Sequence, residues 1–480
     1  AESPIDEGQL WAGTNDGLLH ITRDGGRTWT NVTEKIPDFP QKGKITNIEP
    51  SRFHAGTCYF SADLHEMNHW DTYVYKTADY GESWEKIDGD IPEGPLSYAH
   101  CIREDPVREG LLYLGTENML YVSFNDGENW LPLQEGMPHA PVHWLVIQEH
   151  FNDLVVGTYG RGFYILDDIT PLQQLTRETL NSDVTFFTPR PAYRYVRQHS
   201  YEVNANDQCV GQNPPNGAIV NYYLKSKPED DVTLTVLDAS GQTIKTIQAT
   251  NDVGINRVVW DLGYETLQSV KLRTPPEDAP WVEVGPEGWR PLRTWGGPTP
   301  VRVRPGTYTL TLRVDGKDIT KELVVEKDPS SEGTVEDIGQ QTGLLLEIRE
   351  NVDDLIGMIN QIEWIRKQLY DLMDVLESTD DGEDTIEQAR SLDDKFIDVE
   401  KNLFQMKLTG AGQDTLRWPA QLYVKFSSLA YEIMAADFKP TDQQFELHGV
   451  LKSRLETHKA SFQELLQNDL PAFGNMLRSK

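Results

Sequence analysis

Cysteine is scarce in this chain. Its 480 residues include three, Cys58, Cys101 and Cys209. So small and odd a set builds no disulfide framework, and no Cys/His group stands at zinc-site spacing. Cys58 and Cys101 lie in apolar, strand-like runs and read as small core residues. Positive charge is also short. Lys and Arg number 44 against 76 Asp and Glu, a net charge of −32. That excludes nucleic acid as a partner, because phosphates demand a basic surface. A solvated acidic coat is the simple reading, with a divalent cation such as calcium the one cofactor such a surface could hold. No apolar run reaches the roughly 18 residues of a membrane helix, so no membrane span is expected. The opening residues, AESPIDEGQLWAGT, lack the basic start and apolar stretch of a signal peptide, so any export signal would lie upstream. No Gly-rich phosphate loop opens a helix, and no G-x-S-x-G elbow is present.

A repeat organises the first third. Thr22-Arg-Asp24-Gly-Gly26-Arg-Thr28-Trp29 returns as Thr77-Ala-Asp79-Tyr-Gly81-Glu-Ser83-Trp84, then as Ser123-Phe-Asn125-Asp-Gly127-Glu-Asn129-Trp130. This S/T-x-D-x-G-x-T-W pattern is the Asp-box. The Asp accepts hydrogen bonds from its own tight turn, the Gly supplies positive φ, and the Trp is expected to cover a neighbouring sheet. Strands ending in Gly-Thr (LWAGT, LYLGT, LVVGT) recur with the boxes. Copies at about 45–55 residues indicate four-stranded propeller blades. Two complete blades are expected at Lys44–Ile87 and Tyr98–Leu133, with three strands before them and three after. That makes about four blades. Closed propellers have roughly 4–8, so the chain reads as the second part of a longer propeller. An N-terminal segment of the same precursor, or a partner chain, is expected to close it.

Residues 1–173 are thus expected to be a partial β-propeller and 174–190 a linker. Residues 191–330 show strand patterns at Ala218–Lys225, Val232–Leu237, Ile255–Leu262, Thr307–Val314 and Ile319–Val325. They predict a β-sandwich of immunoglobulin or fibronectin style. A loop at 264–303 with Trp281, Trp289 and Trp295 interrupts it, either packed on a neighbouring domain or binding a ligand. From 331 to 480 the apolar residues step by threes and fours, predicting a four-helix bundle-like domain and a surface through which the chain could oligomerise. Arg366 intrudes on its seam. Thr385 with Gln388, and Thr441 with Gln444, look like capping boxes. The acidic link 377–387 lacks EF-hand ligand spacing and reads as a solvated loop. The fold class is therefore multidomain and mainly β, with a helical tail.

The segments 19-LHITRDGGRTW-29, 75-YKTADYGESW-84 and 153-DLVVGTYGRGFYILDDITPL-172 resemble a family of large exported bacterial proteins. These are BNR-repeat, sortilin-type propellers that are called glycosyl-hydrolase-like. The resemblance runs over nearly the whole chain. It implies a secreted, periplasmic or cell-surface protein whose relatives are longer, with more blades in front. It also implies a ligand, whether glycan, peptide or partner protein, held on a propeller face. Glycoside hydrolysis is the alternative, with some carboxylates supplied from upstream. A fold does not carry a reaction, however. The chain departs from the family at Tyr159, where His is usual, and at His143-Trp144, where Arg-Asp is usual.

The candidate ligand-binding residues are Arg161, His100, His143, Asp167 and Asp168. Arg161 either faces the channel and binds a carboxylate or sugar hydroxyls, or ties loops together through Asp167. Asp167 and Asp168 are adjacent, so they point to opposite sides and do not by themselves form a glycosidase pair. His65-Glu66-Met67-Asn68-His69 spells the zinc-peptidase pattern, and with Asp71 offers metal-ligating side chains. The pattern needs a helix to bring both His onto one face. Only about nine residues join the flanking strands there, so a hairpin loop is expected instead of a peptidase helix.

Overall fold

The computed structural model describes residues 1–195, 211–276, 278–290, 292, 300–377 and 382–479. Cys209 and Trp295 lie outside them. The chain divides into two compact units. One comprises 1–190 with 221–227 and 251–257; the other holds the remainder.

The first unit begins with propeller-like blades. Blade I has three antiparallel strands, β1 (Leu10–Gly13), β2 (Leu19–Thr22) and β3 (Thr30–Asn31). Blade II is β4 (Lys44–Pro50), β5 (Cys58–Asp63), β6 (Tyr73–Thr77) and β7 (Glu85–Lys86). Blade III is β8 (Ala99–Glu104), β9 (Leu112–Thr116), β10 (Leu120–Ser123) and β11 (Leu131–Pro132). Blade IV is β12 (Val142–Gln148), β13 (Asp153–Thr158) and β14 (Phe163–Leu166).

The boxes form the turns their sequence implies. In the first, Asp24 accepts from Thr28 N at 2.9 Å and from the Thr28 and Thr22 hydroxyls, while Gly26 sits at φ +88°. In the second, Asp79 accepts from Ser83 N at 2.8 Å. These bonds hold the Asp24 carboxyl down to about 2 and lower Asp79 as well, although burial acts against the shift at Asp79.

The second and third boxes also dock their blades on the one before. Trp84 meets Trp11 of blade I edge-to-face at 5.9 Å, and Trp130 Nε1 donates to Ile87 O of blade II at 2.8 Å. A Cβ on Gly81 would stand 3.0 Å from Val32, and one on Gly127 would stand 2.8 Å from Ile87. Trp29 breaks the expectation that every box Trp is covered: it is 44% exposed, because no earlier blade lies against blade I among the described residues.

Segment 174–190 is folded where a linker was expected. α1 (Thr170–Gln174) is followed by α2 (Arg177–Asn181), which Thr176 and Thr179 cap reciprocally. Next comes β15 (Val184–Phe186). Then follow β16 (Ala192–Arg194), β17 (Ala218–Leu224), β18 (Thr233–Leu237), β19 (Thr243–Gln248), β20 (Gly254–Trp260), β21 (Gly306–Val314) and β22 (Lys317–Lys327). They form sheets in the orders β15-β17-β20 and β16-β22-β21-β18-β19. Trp260 of one sheet meets Tyr308 of the other edge-to-face at 5.4 Å.

The helices are α3 (Val335–Leu376), α4 (Glu383–Leu403), the short α5 (Asp414–Arg417), α6 (Leu422–Ile433), α7 (Asp442–Glu464) and α8 (Leu470–Ser479). Their apolar stripes share one core with Val270, Leu272 and Val301 of the 264–303 loop. Described parts of that loop therefore pack on the helices. Arg290 donates to the Leu408 and Met406 carbonyls. Trp281 remains 75% exposed. Thr441 caps α7 with Gln444 as expected, but α4 starts earlier than its supposed cap. Gly382 is the N-cap, and Thr385 is buried inside the first turn. Arg366 enters the seam because Asp393 and Glu400 meet it at 2.9 Å.

Candidate functional site

The inner strands of blades II, III and IV share one irregularity at the same place. Ile45 and Asn47 oppose consecutive residues of β5, Ala99 and Cys101 oppose consecutive residues of β9, and Val142 and Trp144 oppose consecutive residues of β13. Thr46, His100 and His143 are the extra residues. A bulge leaves its extra residue out of the ladder and re-aims its side chain. So one backbone device presents a hydroxyl and two imidazoles at the same end of neighbouring blades.

The hairpin loops 64–72, 117–119 and 159–162 come to that end. Rings pass from loop to strand in a continuous series. Trp70 and His65 lie beside Tyr98, with His65 stacked on it at 4.6 Å. Tyr98 meets His100 edge-on at 5.3 Å, His100 lies 4.1 Å from His143, and His143 stacks on Tyr159 at 5.4 Å. Charged and polar groups fix this series. Asp63 accepts from His65 at 2.7 Å, and His100 Nε2 bonds Glu117 at 2.8 Å. The Glu117 backbone N–H donates to Tyr98 O at 3.1 Å, which fixes the chain beside His100. Burial, then the neighbouring His100, lowers the His143 pKa.

Further along the same inner strands is a cleft of about 620 Å³, lined in part by Asn47, Glu49, Arg103 and Trp144. Arg103 joins three blades. It donates to Asn47 at 3.0 Å and Glu49 at 2.9 Å on β4, and to Leu145 O at 3.0 Å on β12. It also lies 4.5 Å above the Trp144 ring. Burial pushes the Glu49 carboxyl up to about 7 in spite of Arg103.

The structure thus brings His100, His143 and His65 to one end of the blades. The HEMNH stretch is no peptidase helix. His65–Met67 is a single 3-10 turn ended by Asn68 at φ 64°, and His65 is engaged by Asp63. Glu66, His69 and Asp71 stay in this connection, where Tyr73 OH lies 3.4 Å from both His69 and Asp71. Among the described residues, the His/Asp/Glu donors that converge within 4.8 Å of one another are His100, Glu117 and His143. Arg161 is exposed at the tip of the 159–162 loop. Asp167 takes its charge partners from Arg257 and Arg190, and burial raises its pKa. Asp168 is buried at φ 58°, with its carboxylate bonded to Thr170 at 2.6 Å and Asn221 at 2.8 Å. Sequence reasoning missed Glu117, Glu49 and Arg103. Thr46, His100 and His143 stand at no common spacing from the boxes, and strand pairing alone aligns them.

No family model matches the chain. Two curated proteins are similar over part of it. A probable oligoxyloglucan-reducing end-specific xyloglucanase of Neosartorya fischeri is 36% identical over 149 residues, covering 30% of this chain and 17% of that protein. The oligoxyloglucan-reducing end-specific xyloglucanase of Emericella nidulans is 34% identical over 94 residues, covering 18% of this chain and 10% of that protein. The match therefore spans less than a fifth of either relative. Solved structures with similarity include YCF48 bound to D1 peptide (TM-score 0.26, 15% identity, 67% of this chain and 84% of that one). Another is the GH74 xyloglucanase of Xanthomonas campestris (TM-score 0.30, 13% identity, 72% of this chain and 46% of that one).

Proposed function

We propose that this chain binds a glycan at the end of blades II–IV where the three bulged residues stand. The observation that carries the reading is the shared bulge. The blades keep one backbone there and set polar side chains on it, Thr46, His100 and His143, out of the ladder where a ligand can reach them. The side chains suit a sugar. Glu117, Asp63 and the imidazoles offer hydrogen bonds to hydroxyls. The rings of Tyr159, 73% exposed, and Trp70, 38% exposed, offer apolar surface at the two ends of the series. The partial sequence similarity to two xyloglucanases points to the same ligand class.

Isothermal titration with xyloglucan oligosaccharides tests this. Binding to the intact chain is expected, and His143→Ala with Tyr159→Ala should weaken it by about tenfold or more. Unchanged binding in that double variant, or binding only of peptides, overturns the reading.

A second reading, glycoside hydrolysis, is favoured by Glu49. A carboxyl held to about 7 in a cleft suits a general acid. It would require a second carboxylate across the bond. Release of reducing sugar from xyloglucan, abolished by Glu49→Gln, would support it.

We also infer that further blades, from an N-terminal segment of the same precursor or a separate chain, cover blade IV. Trp144, Val146, Phe163 and Ile165 share a face of that sheet and are 49%, 46%, 82% and 58% exposed. Their counterparts in blade III include Cys101, Leu120 and Val122, which are 0–3% exposed beneath blade IV. A covering blade would supply the missing contact.

A further inference from the structure

We propose that His100, Glu117 and His143 bind a divalent transition-metal ion between blades III and IV. The proposal concerns the same end of the blades as the glycan reading but does not depend on it.

The geometry points to a metal in three ways. First, the three donor atoms lie within 4.8 Å of one another. Zinc bonds nitrogen and oxygen at about 2.0–2.2 Å, which places tetrahedral donors roughly 3.3–3.5 Å apart. Small side-chain rotations reach that spacing, with the His100–Glu117 contact of 2.8 Å opening slightly. Second, the donors sit on elements that are already fixed. His100 and His143 occupy equivalent bulges of adjacent inner strands, and Glu117 is tied by its backbone hydrogen bond to Tyr98 O. Third, the site is graded in access. The His100 and Glu117 side chains are 12% and 23% exposed, while His143 faces solvent. Three protein donors and one side open to water leave coordination positions free for water or a ligand.

The donor set also selects the metal. Two imidazoles and one carboxylate suit zinc, iron, nickel or copper. Calcium takes six to eight oxygens and finds one carboxylate here. The acidic surface is therefore not the feature that would hold an ion. The two histidines are, and neither stands at a motif spacing in the sequence.

Zinc itself is the probe. The full chain is stripped with chelator and dialysed against Zn²⁺ or Ca²⁺, and bound metal is measured by elemental analysis. Co²⁺ substitution adds an absorption spectrum that reports the ligands. One Zn²⁺ per chain is expected, with no comparable Ca²⁺. His143→Ala should abolish it. Glu117→Gln should weaken it by about 10–100-fold, and His54→Ala, in the hairpin at the other end of blade II, should leave it unchanged. Circular dichroism of His143→Ala, a solvent-facing position, checks that the variant is folded. No zinc in the intact chain, or equal zinc in the intact chain and both trio variants, overturns the proposal. Zinc bound without any glycan bound would sink the glycan reading alone, because the metal is tested without sugar.

Discussion

Blades II and III have two ends, and the chain treats them differently. At the box end it repeats the same chemistry. Thr77 and Ser123 accept from the backbone of Gly81 and Gly127, both glycines at positive φ, and Trp84 and Trp130 lie on the preceding blade. At the other end it repeats the backbone and keeps the side chain less strictly. The bulge is kept, but its residue is Thr46 in blade II and His100 in blade III, then His143 in blade IV. Repetition of side chains marks what the fold needs. Repetition of geometry with changing side chains marks where the fold is free to bind something.

Variants at the two ends should break the molecule in different ways. The largest effect is expected for Trp130→Ala, which removes a buried ring and its hydrogen bond to Ile87 O. A loss of about 3–5 kcal/mol in denaturant unfolding is expected. Trp29→Ala, in the same box position but 44% exposed, should cost well under half of that. Equal losses would mean that blade I is covered. Gly81→Ala comes next. It forces a side chain into φ +83° and against Val32, for about 2 kcal/mol in the same assay.

Acid and base separate the box carboxylates from the cleft, since Asp24 and Asp79 titrate with the opposite sign to Glu49. Asp24 is lowered to about 2 and Asp79 is lowered too, so box stability is full above about pH 4 and is lost as pH falls toward 2. Glu49 is raised to about 7 from 4.5, so the folded chain prefers it protonated, and stability falls as pH rises from about 4.5 to 7. Glu49→Gln should flatten that second slope in unfolding curves taken across this range, and a slope that persists would place its source elsewhere. The smallest effect is expected for Asn125→Asp. Asn125 already makes the box bond to Asn129 N at 3.1 Å. The variant should only add acid sensitivity to the third box, read as a steeper loss of stability below pH 4.

Much of this was legible in the sequence. Lys44–Pro50, Val142–Gln148 and Asp153–Thr158 have the bounds expected from their β-branched and apolar content between turn residues. Strand β19 was not legible, since Thr243–Gln248 alternates Thr, Lys and Gln with Ile and buries only Ile244. The cap of α4 misled because Thr385 has the right neighbours in sequence but is buried one turn in. The site was half legible. His100 and His143 stood out as histidines on inner strands. Glu117, Glu49 and Arg103 did not, because each acquires its role from another blade or hairpin 17 or more residues away. The bulges that align the two histidines are a property of strand pairing, which no single strand encodes.

The most direct test measures glycan binding and unfolding on the same preparations of two variants, His143→Ala and Gly81→Ala. The account expects His143→Ala to unfold like the parent and to lose xyloglucan-oligosaccharide binding. It expects Gly81→Ala to unfold earlier and, while folded, to bind like the parent. Parental binding by His143→Ala, or loss of binding by the folded Gly81→Ala chain, would contradict the division of labour between the two ends of the blades.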